Sequence, residues 1–465
     1  MLFSSITFLY YFLPCVLLLY LIAPHRLKNT VLLVTSLVFY AWGEPVYVLL
    51  MAVSIAIGYL CGIGIERFRG KRAAKVFLAF SVTIFLGFLG YFKYADFFIS
   101  NFNAATGLSV ELLNIALPIG ISFYTFQLIS YMVDVYRGEK AQKNPINLAA
   151  YITMFPQLIA GPIVRYSDIA EGLENRKHTV EGFASGATRF VFGLSKKILL
   201  ANALGELCDV FKASDDKSVM FYWLYAVAYA LHVYFDFSGY SDMAIGLGRI
   251  LGFEFMENFN YPFISSSATE FWRRWHISLG SWFRDYVYIP MGGNRVNAPR
   301  HLFNILTVWM LTGFWHGAAW TFIVWGLFFA VLLTVEKFFL LRYLKKSKVI
   351  SRIYILIAVL VSFVIFNAAD LGEAWQYISS MFGAGALPAV SAEFFYYAKS
   401  YGITLLVAAV GATPLVKNTV LKIKSTEKGG KVIAVLRPIA VAVLLTVTTA
   451  YLVDGSFNPF LYFRF

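Results

Sequence analysis

Charge is scarce in this chain. Asp, Glu, Lys and Arg make up only 14% of its 465 residues, against roughly 25% in a soluble globular domain. Cysteine is nearly absent. Cys15, Cys61 and Cys208 are odd in number and show no C-x-x-C spacing, which argues against a disulfide framework or a zinc cage. There is no G-x-S-x-G elbow and no H-E-x-x-H pair, so a self-contained serine hydrolase or zincin is unsupported. No internal repeat relates the two halves, and inverted-repeat transporters often carry one.

Apolar length is what the sequence has in abundance. Hydrophobic residues reach 59%, and runs long enough to span a bilayer recur at 4–23, 46–65, 76–92, 353–366 and 432–453. These predict an all-α polytopic membrane protein with roughly ten to twelve spans by the ~20-residue rule. Gly, Ser and Trp are frequent in the spans, which suits closely packed helices. The first run lacks a basic leader and a small-x-small cleavage site, so it is expected to be a retained helix.

The net charge of +13 raises nucleic acid as a partner, but its distribution points to lipid. Basic residues fill alternate loops: Arg26 and Lys28, then five in 66–75, three in 137–143, six in 337–352 and five in 417–431. The loops at 43–45, 96–114 and 368–395 hold none. The positive-inside rule then places the basic loops in the cytoplasm and the N-terminus outside. Attraction to anionic headgroups accounts for the surplus without nucleic acid. Two segments break the alternation: 147–177, interrupted by Pro156 and Gly161–Pro162, and 252–300, with Arg273, Arg274, Arg284, Arg295 and Arg300 among aromatics. Irregular backbone at membrane depth needs protein or water to satisfy it. Both are expected to be re-entrant or interfacial, lining a cavity from the cytoplasmic side.

Three of the six histidines stand out. His25, His178 and His301 lie in loops or at a span start, where rings are commonly solvated or interfacial. His316, in "LTGFWHGAAW", sits in a window from His301 to Val335 with no Asp, Glu, Lys or Arg. An ionisable ring inside a span usually faces inward with a function, and a neutral imidazole suits a general base. The alternative is an imidazole donating one hydrogen bond to a neighbouring helix. His276 lies among Trp272, Arg273, Arg274 and Trp275, and on a continuous helix 272, 275, 276 and 279 share a face. Such a face would stack a base and grip phosphates of a nucleotide-bearing donor, or form an interfacial Trp/Arg belt. His232 and Asp236, spaced i, i+4, fit a structural polar pair better than metal ligands. No metal site is expected.

The stretch "FWRRWHISLGSWFRDYVYIPMGGNR" (271–295), followed by "LTGFWHGAAWTFIVWG", resembles the membrane-bound O-acyltransferase family. The branch it resembles is that of bacterial alginate and peptidoglycan O-acetyltransferase membrane subunits. "LPIGISFYTFQLISYMVDVYRG" (117–138), "FPQLIAGPIVRY" (155–166), "YFDFSGYSDMAIGLGRILGF" (234–253), "ENFNYPF" (257–263) and the terminal "FNPFLYFRF" look like the same branch. The resemblance covers nearly the whole chain.

It implies one transmembrane domain over 1–465: N-terminal spans to 136, a catalytic core over 137–336, and C-terminal spans beyond. It implies a ring-like bundle with a central tunnel, in the bacterial inner or plasma membrane. His316 matches the histidine with the central catalytic role, and His276 the second functional position. Acetyl-CoA is the implied donor, with no permanently bound cofactor. The acetyl group would cross to the outer face, where a separate SGNH-type acetyltransferase partner esterifies a polysaccharide. A cousin of this branch takes D-alanine from a carrier protein for teichoic acids. Trp315 and Trp320 would dry and shape the tunnel; a phosphate-holding role for Arg273 and Arg274 rests on charge alone. The competing readings are a transporter or flippase for a lipid-linked sugar and a scaffold that only recruits an outer transferase.

Overall fold

A computed structural model describes residues 2–455 and Phe460, and within them it is helical with no strand. The terminal motif therefore lies outside the described residues except for Phe460. Among the described residues, five helices are long and apolar enough to cross a bilayer: Tyr47–Arg67, Arg72–Thr106, Trp320–Leu344, Lys348–Asn367 and Glu427–Asp454. Gly402–Gly411 and Leu415–Lys424, bent by 61°, make a sixth if counted as one broken span. The protein is an all-α polytopic membrane protein. The larger number estimated from run length includes helices too short or too polar for this test. Ile121–Arg137, for example, buries Gln127, Ser130 and Asp134 within its 17 residues.

The described chain forms two compact units. The first is built mainly from Met1–Phe190 and Met243–Met256. Here α1 (Tyr47–Arg67) and α2 (Arg72–Thr106) are joined by a tight turn in which Gly70 has φ +81°. A side chain on Gly58 or Gly62 of α1 would collide with Leu128 or Tyr131, at 2.7 and 2.8 Å. Small residues thus let Ile121–Arg137 approach the α1 backbone, the usual device where lipid gives helices no hydrophobic drive to associate. Segment 147–177 is broken into short helices, Pro145–Thr153, Phe155–Leu158 and Tyr166–Asn175.

The second unit comprises mainly Val191–Asp242 and Glu257–Leu461. It contains most of the 32-residue helix α3 (Val219–Ile250). An irregular stretch leads to two short helices, α4 (Ala268–Trp272) and α5 (Ile277–Phe283). The long helices α6 (Ala298–His316), α7 (Trp320–Leu344), α8 (Lys348–Asn367) and α9 (Glu427–Asp454) follow. Only Gly317–Ala319 separate α6 from α7, so these two helices form a tight hairpin. Buried Glu336 of α7 accepts the Ala268 and Thr269 amide hydrogens at 2.5 and 3.2 Å. A carboxylate there satisfies donors that the first turn of α4 would otherwise leave orphaned.

Candidate active site

His316 is the last residue of α6, and the chain leaves the helix at Gly317 in extended conformation. That glycine is required by space: a Cβ on it would lie 2.2 Å from the Phe322 ring. The His316 ring is 7% exposed and boxed by aromatics. Trp315 lies 5.0 Å away between centroids, Trp325 of α7 5.1 Å and Phe366 of α8 5.3 Å. The last two meet it at 85° and 83°, the edge-to-face geometry favoured by ring quadrupoles. The ring is thus held by three consecutive long helices. An imidazolium formed there would lie at the negative end of the α6 dipole.

His276 departs from the continuous helix expected over this stretch. Its φ is +44°, a left-handed conformation that non-glycine residues adopt at an energetic penalty, and it breaks the chain between α4 and α5. Residues 272, 275, 276 and 279 therefore do not share one helical face. The ring is 1% exposed. Phe237 packs on it at 4.7 Å and Trp315 at 6.0 Å. One indole, Trp315, therefore neighbours both histidines.

The other predicted site residues scatter. Trp275 is 4% exposed and stacks on Phe271 at 5.6 Å, with Phe363 at 5.3 Å; its face is occupied by protein. Arg274 pairs with Glu270 at 2.9 Å and donates to the Asn260 carbonyl at 3.1 Å. Arg273 is exposed; its backbone amide donates to the Glu270 carbonyl at 3.1 Å, and its guanidinium has no hydrogen-bond or ion-pair partner among the described residues. Trp320 is 53% exposed at the start of α7. His232 places Nδ1 2.5 Å from the Ala201 carbonyl, in space left by Gly205. Asp236 takes Lys197 Nζ at 2.6 Å, with both side chains nearly inaccessible.

Sequence reasoning missed Trp325 and Phe366, which lie 9 and 50 positions beyond His316 and meet it only through packing. It also missed Lys197 and Asn258. The one available signal for Asn258 was a polar residue inside the aromatic run "ENFNYPF".

The chain is a multispan helical membrane protein with two buried histidines around a shared tryptophan. A model of the membrane-bound O-acyltransferase family matches residues 104–371. Over 393 residues the chain is 45% identical to the probable alginate O-acetylase AlgI of Azotobacter vinelandii, covering 83% of this chain and 79% of that protein. It is 39% identical to the protein of that name from Pseudomonas putida, over the full length of both. It is 32% identical to the peptidoglycan O-acetyltransferase of Helicobacter pylori, covering 82% and 80%. The protein belongs to the membrane-bound O-acyltransferase family and is an O-acyltransferase. The transporter reading finds no support in these likenesses.

Proposed function

We propose that this protein takes an acetyl group from cytoplasmic acetyl-CoA and passes it across the membrane for O-acetylation of a polysaccharide, alginate or peptidoglycan in kind. The observation that carries the proposal is His316: a buried imidazole held by three helices and sharing the neighbour Trp315 with a second buried histidine, in a chain 45% identical to a protein named as an alginate O-acetylase. A thioester is already activated. The chain needs only to orient it and to accept a proton as a hydroxyl oxygen bonds the acyl carbon. The carbon–sulfur bond breaks, and the proton held on His316 passes to the departing thiolate. Aromatic walls keep water from hydrolysing the thioester. Exposed Arg273 is the cation left for donor phosphates, since Arg274 is engaged by Glu270. A separate SGNH-type partner at the outer face then moves the acyl group from this first ester to a polysaccharide hydroxyl, breaking the first ester bond and regenerating its hydroxyl.

The test is donor use. Purified protein in lipid nanodiscs, given radiolabelled acetyl-CoA and a polysaccharide-side partner, is expected to release CoA and label the partner or polymer. Label taken only from a D-alanyl carrier protein would replace this assignment with teichoic-acid chemistry. Absence of transfer from either donor would leave the scaffold reading.

The orientation is part of the proposal, with basic loops cytoplasmic and the N-terminus outside. Lys345 and Glu373 lie on opposite sides of α8, one span apart. In a cysteine-free background, Lys345→Cys is expected to react with a membrane-impermeant maleimide only after the cytoplasmic face is opened. Glu373→Cys is expected to react in intact cells, and the reverse pattern would invert the topology.

A further inference from the structure

The surroundings of His276 carry a further step, which rests on the acyl-transfer proposal. Asn258 is fully buried. Its backbone carbonyl accepts the Ile277 amide at 3.0 Å, and Asn260 donates to the Arg274 carbonyl at 2.9 Å. The irregular segment 258–260 is thereby fixed against the break at His276. Three groups of the break converge on Asn258 Oδ1: the Ser278 amide at 3.1 Å, the Ser278 hydroxyl at 2.8 Å and His276 Nδ1 at 3.2 Å. The other end of the carboxamide donates to Ser241 Oγ at 3.1 Å.

This arrangement bears on two assignments, the orientation of the Asn258 carboxamide and the tautomer of His276. A backbone amide can only donate, so the atom facing Ser278 N must be the oxygen of Asn258. An amide oxygen can only accept, and the Ser278 hydroxyl, 3.4 Å from Nδ1, donates to the same oxygen at 2.8 Å, so the ring nitrogen facing Oδ1 carries the hydrogen. His276 is then the Nδ1–H tautomer, and Nε2 is left with a lone pair. Nε2 is buried and has no hydrogen-bond partner among the described residues. Buried polar atoms without partners are uncommon and call for an explanation.

We propose that Asn258 is a positioning residue that holds His276 as the Nδ1–H tautomer, leaving Nε2 to accept a hydrogen bond from an acceptor hydroxyl other than the one whose proton His316 takes. His276 in this state cannot donate to the thioester carbonyl, so it serves the hydroxyl-bearing acceptor, not the acyl donor. The groups packed on its ring, Phe237, Trp315, Asn258 and Ser278, carry no charge.

The first test needs no turnover. In full-length protein labelled with 15N-histidine, the signal lost in His276→Gln is expected to show a protonated Nδ1 and a bare, pyridine-like Nε2. A protonated Nε2 in the wild type would overturn the proposal. The second test uses the pH profile. Asn258→Ala is expected to lower kcat by about 10- to 100-fold, the usual range for losing an orienting partner of a histidine, with the KM for acetyl-CoA unchanged. Asn258→Asp keeps an acceptor oxygen at the same place but adds a negative charge, which favours imidazolium. Imidazolium cannot accept through Nε2, so the acidic limb of kcat is expected to move to higher pH. A merely structural role would leave that limb unmoved in folded Asn258→Asp protein, and such a result refutes the assignment. Loss of all acetyl-CoA turnover in the wild type would instead refute the acyl-transfer proposal, and the 15N result would stand apart from it.

Discussion

Replacing His316 with alanine is expected to abolish acetyl transfer while the protein still folds. Positioned general bases contribute about 10²–10⁴ in rate, and the departing thiolate needs the same proton returned, so both halves of the transfer suffer. The void left is small and apolar, bounded by Trp315, Trp325 and Phe366. Losing edge-to-face ring contacts worth about 0.5–1.5 kcal/mol each shifts the unfolding temperature without preventing assembly. His316→Gln refills most of the volume and should be nearly as inactive, which separates chemistry from packing. His232→Gln is the matched control: that ring is similarly buried and hydrogen-bonds the Ala201 carbonyl, and its loss should reduce stability more than turnover per folded molecule. Label transferred at the wild-type rate by His316→Ala would remove this residue from the mechanism.

His316 could be singled out in the sequence because its setting is local. It is the ionisable ring deep in a long window without formal charge, and its glycine neighbours are adjacent in the chain. The membrane-spanning helices were legible for a similar reason. Runs 76–92, 353–366 and 432–453 fall within α2, α8 and α9, and 46–65 overlaps α1 in all but its first residue, since apolar length alone defines such a helix. The box around His316 was not legible, because Trp325 and Phe366 reach it from two later helices and nothing local marks them. His276 shows a different limit. Helical spacing put Trp272, Trp275 and His276 on one face, but the left-handed backbone at His276 cancels the period on which that inference depends. Arg274 shows a third. Glu270 stands four residues before it, and this i, i+4 pair was readable as a competitor for the guanidinium before any phosphate was invoked.

Valine at Gly313 or Gly326 is expected to be as damaging as loss of His316, by an independent route. The α6–α7 hairpin closes through these two glycines. A Cβ on Gly313 would lie 2.2 Å from the Phe322 carbonyl oxygen and 3.3 Å from the Gly326 Cα. A Cβ on Gly326 would lie 2.2 Å from the Trp309 carbonyl oxygen and 3.2 Å from the Gly313 Cα. The obstructing atoms are backbone, so no rotamer change relieves the clash and the helices must separate. Overpacking of this kind costs about 1–3 kcal/mol, occasionally more, and lipid offers no hydrophobic force to hold the pair together. His316 lies three residues after Gly313, and Trp325 is the neighbour of Gly326, so separation pulls the imidazole from its wall. A displacement of about 1 Å can lower a rate by 10². We therefore expect lower yields of monodisperse protein and, in the folded remainder, acetyl transfer at least about 100-fold slower. Because both changes pry apart one contact, the double variant should be little worse than either single one. Gly87→Ala is the control, since a Cβ there meets nothing within 4 Å and alanine favours the helix. Wild-type thermal stability and turnover in Gly326→Val would show that α6 and α7 do not meet at these glycines.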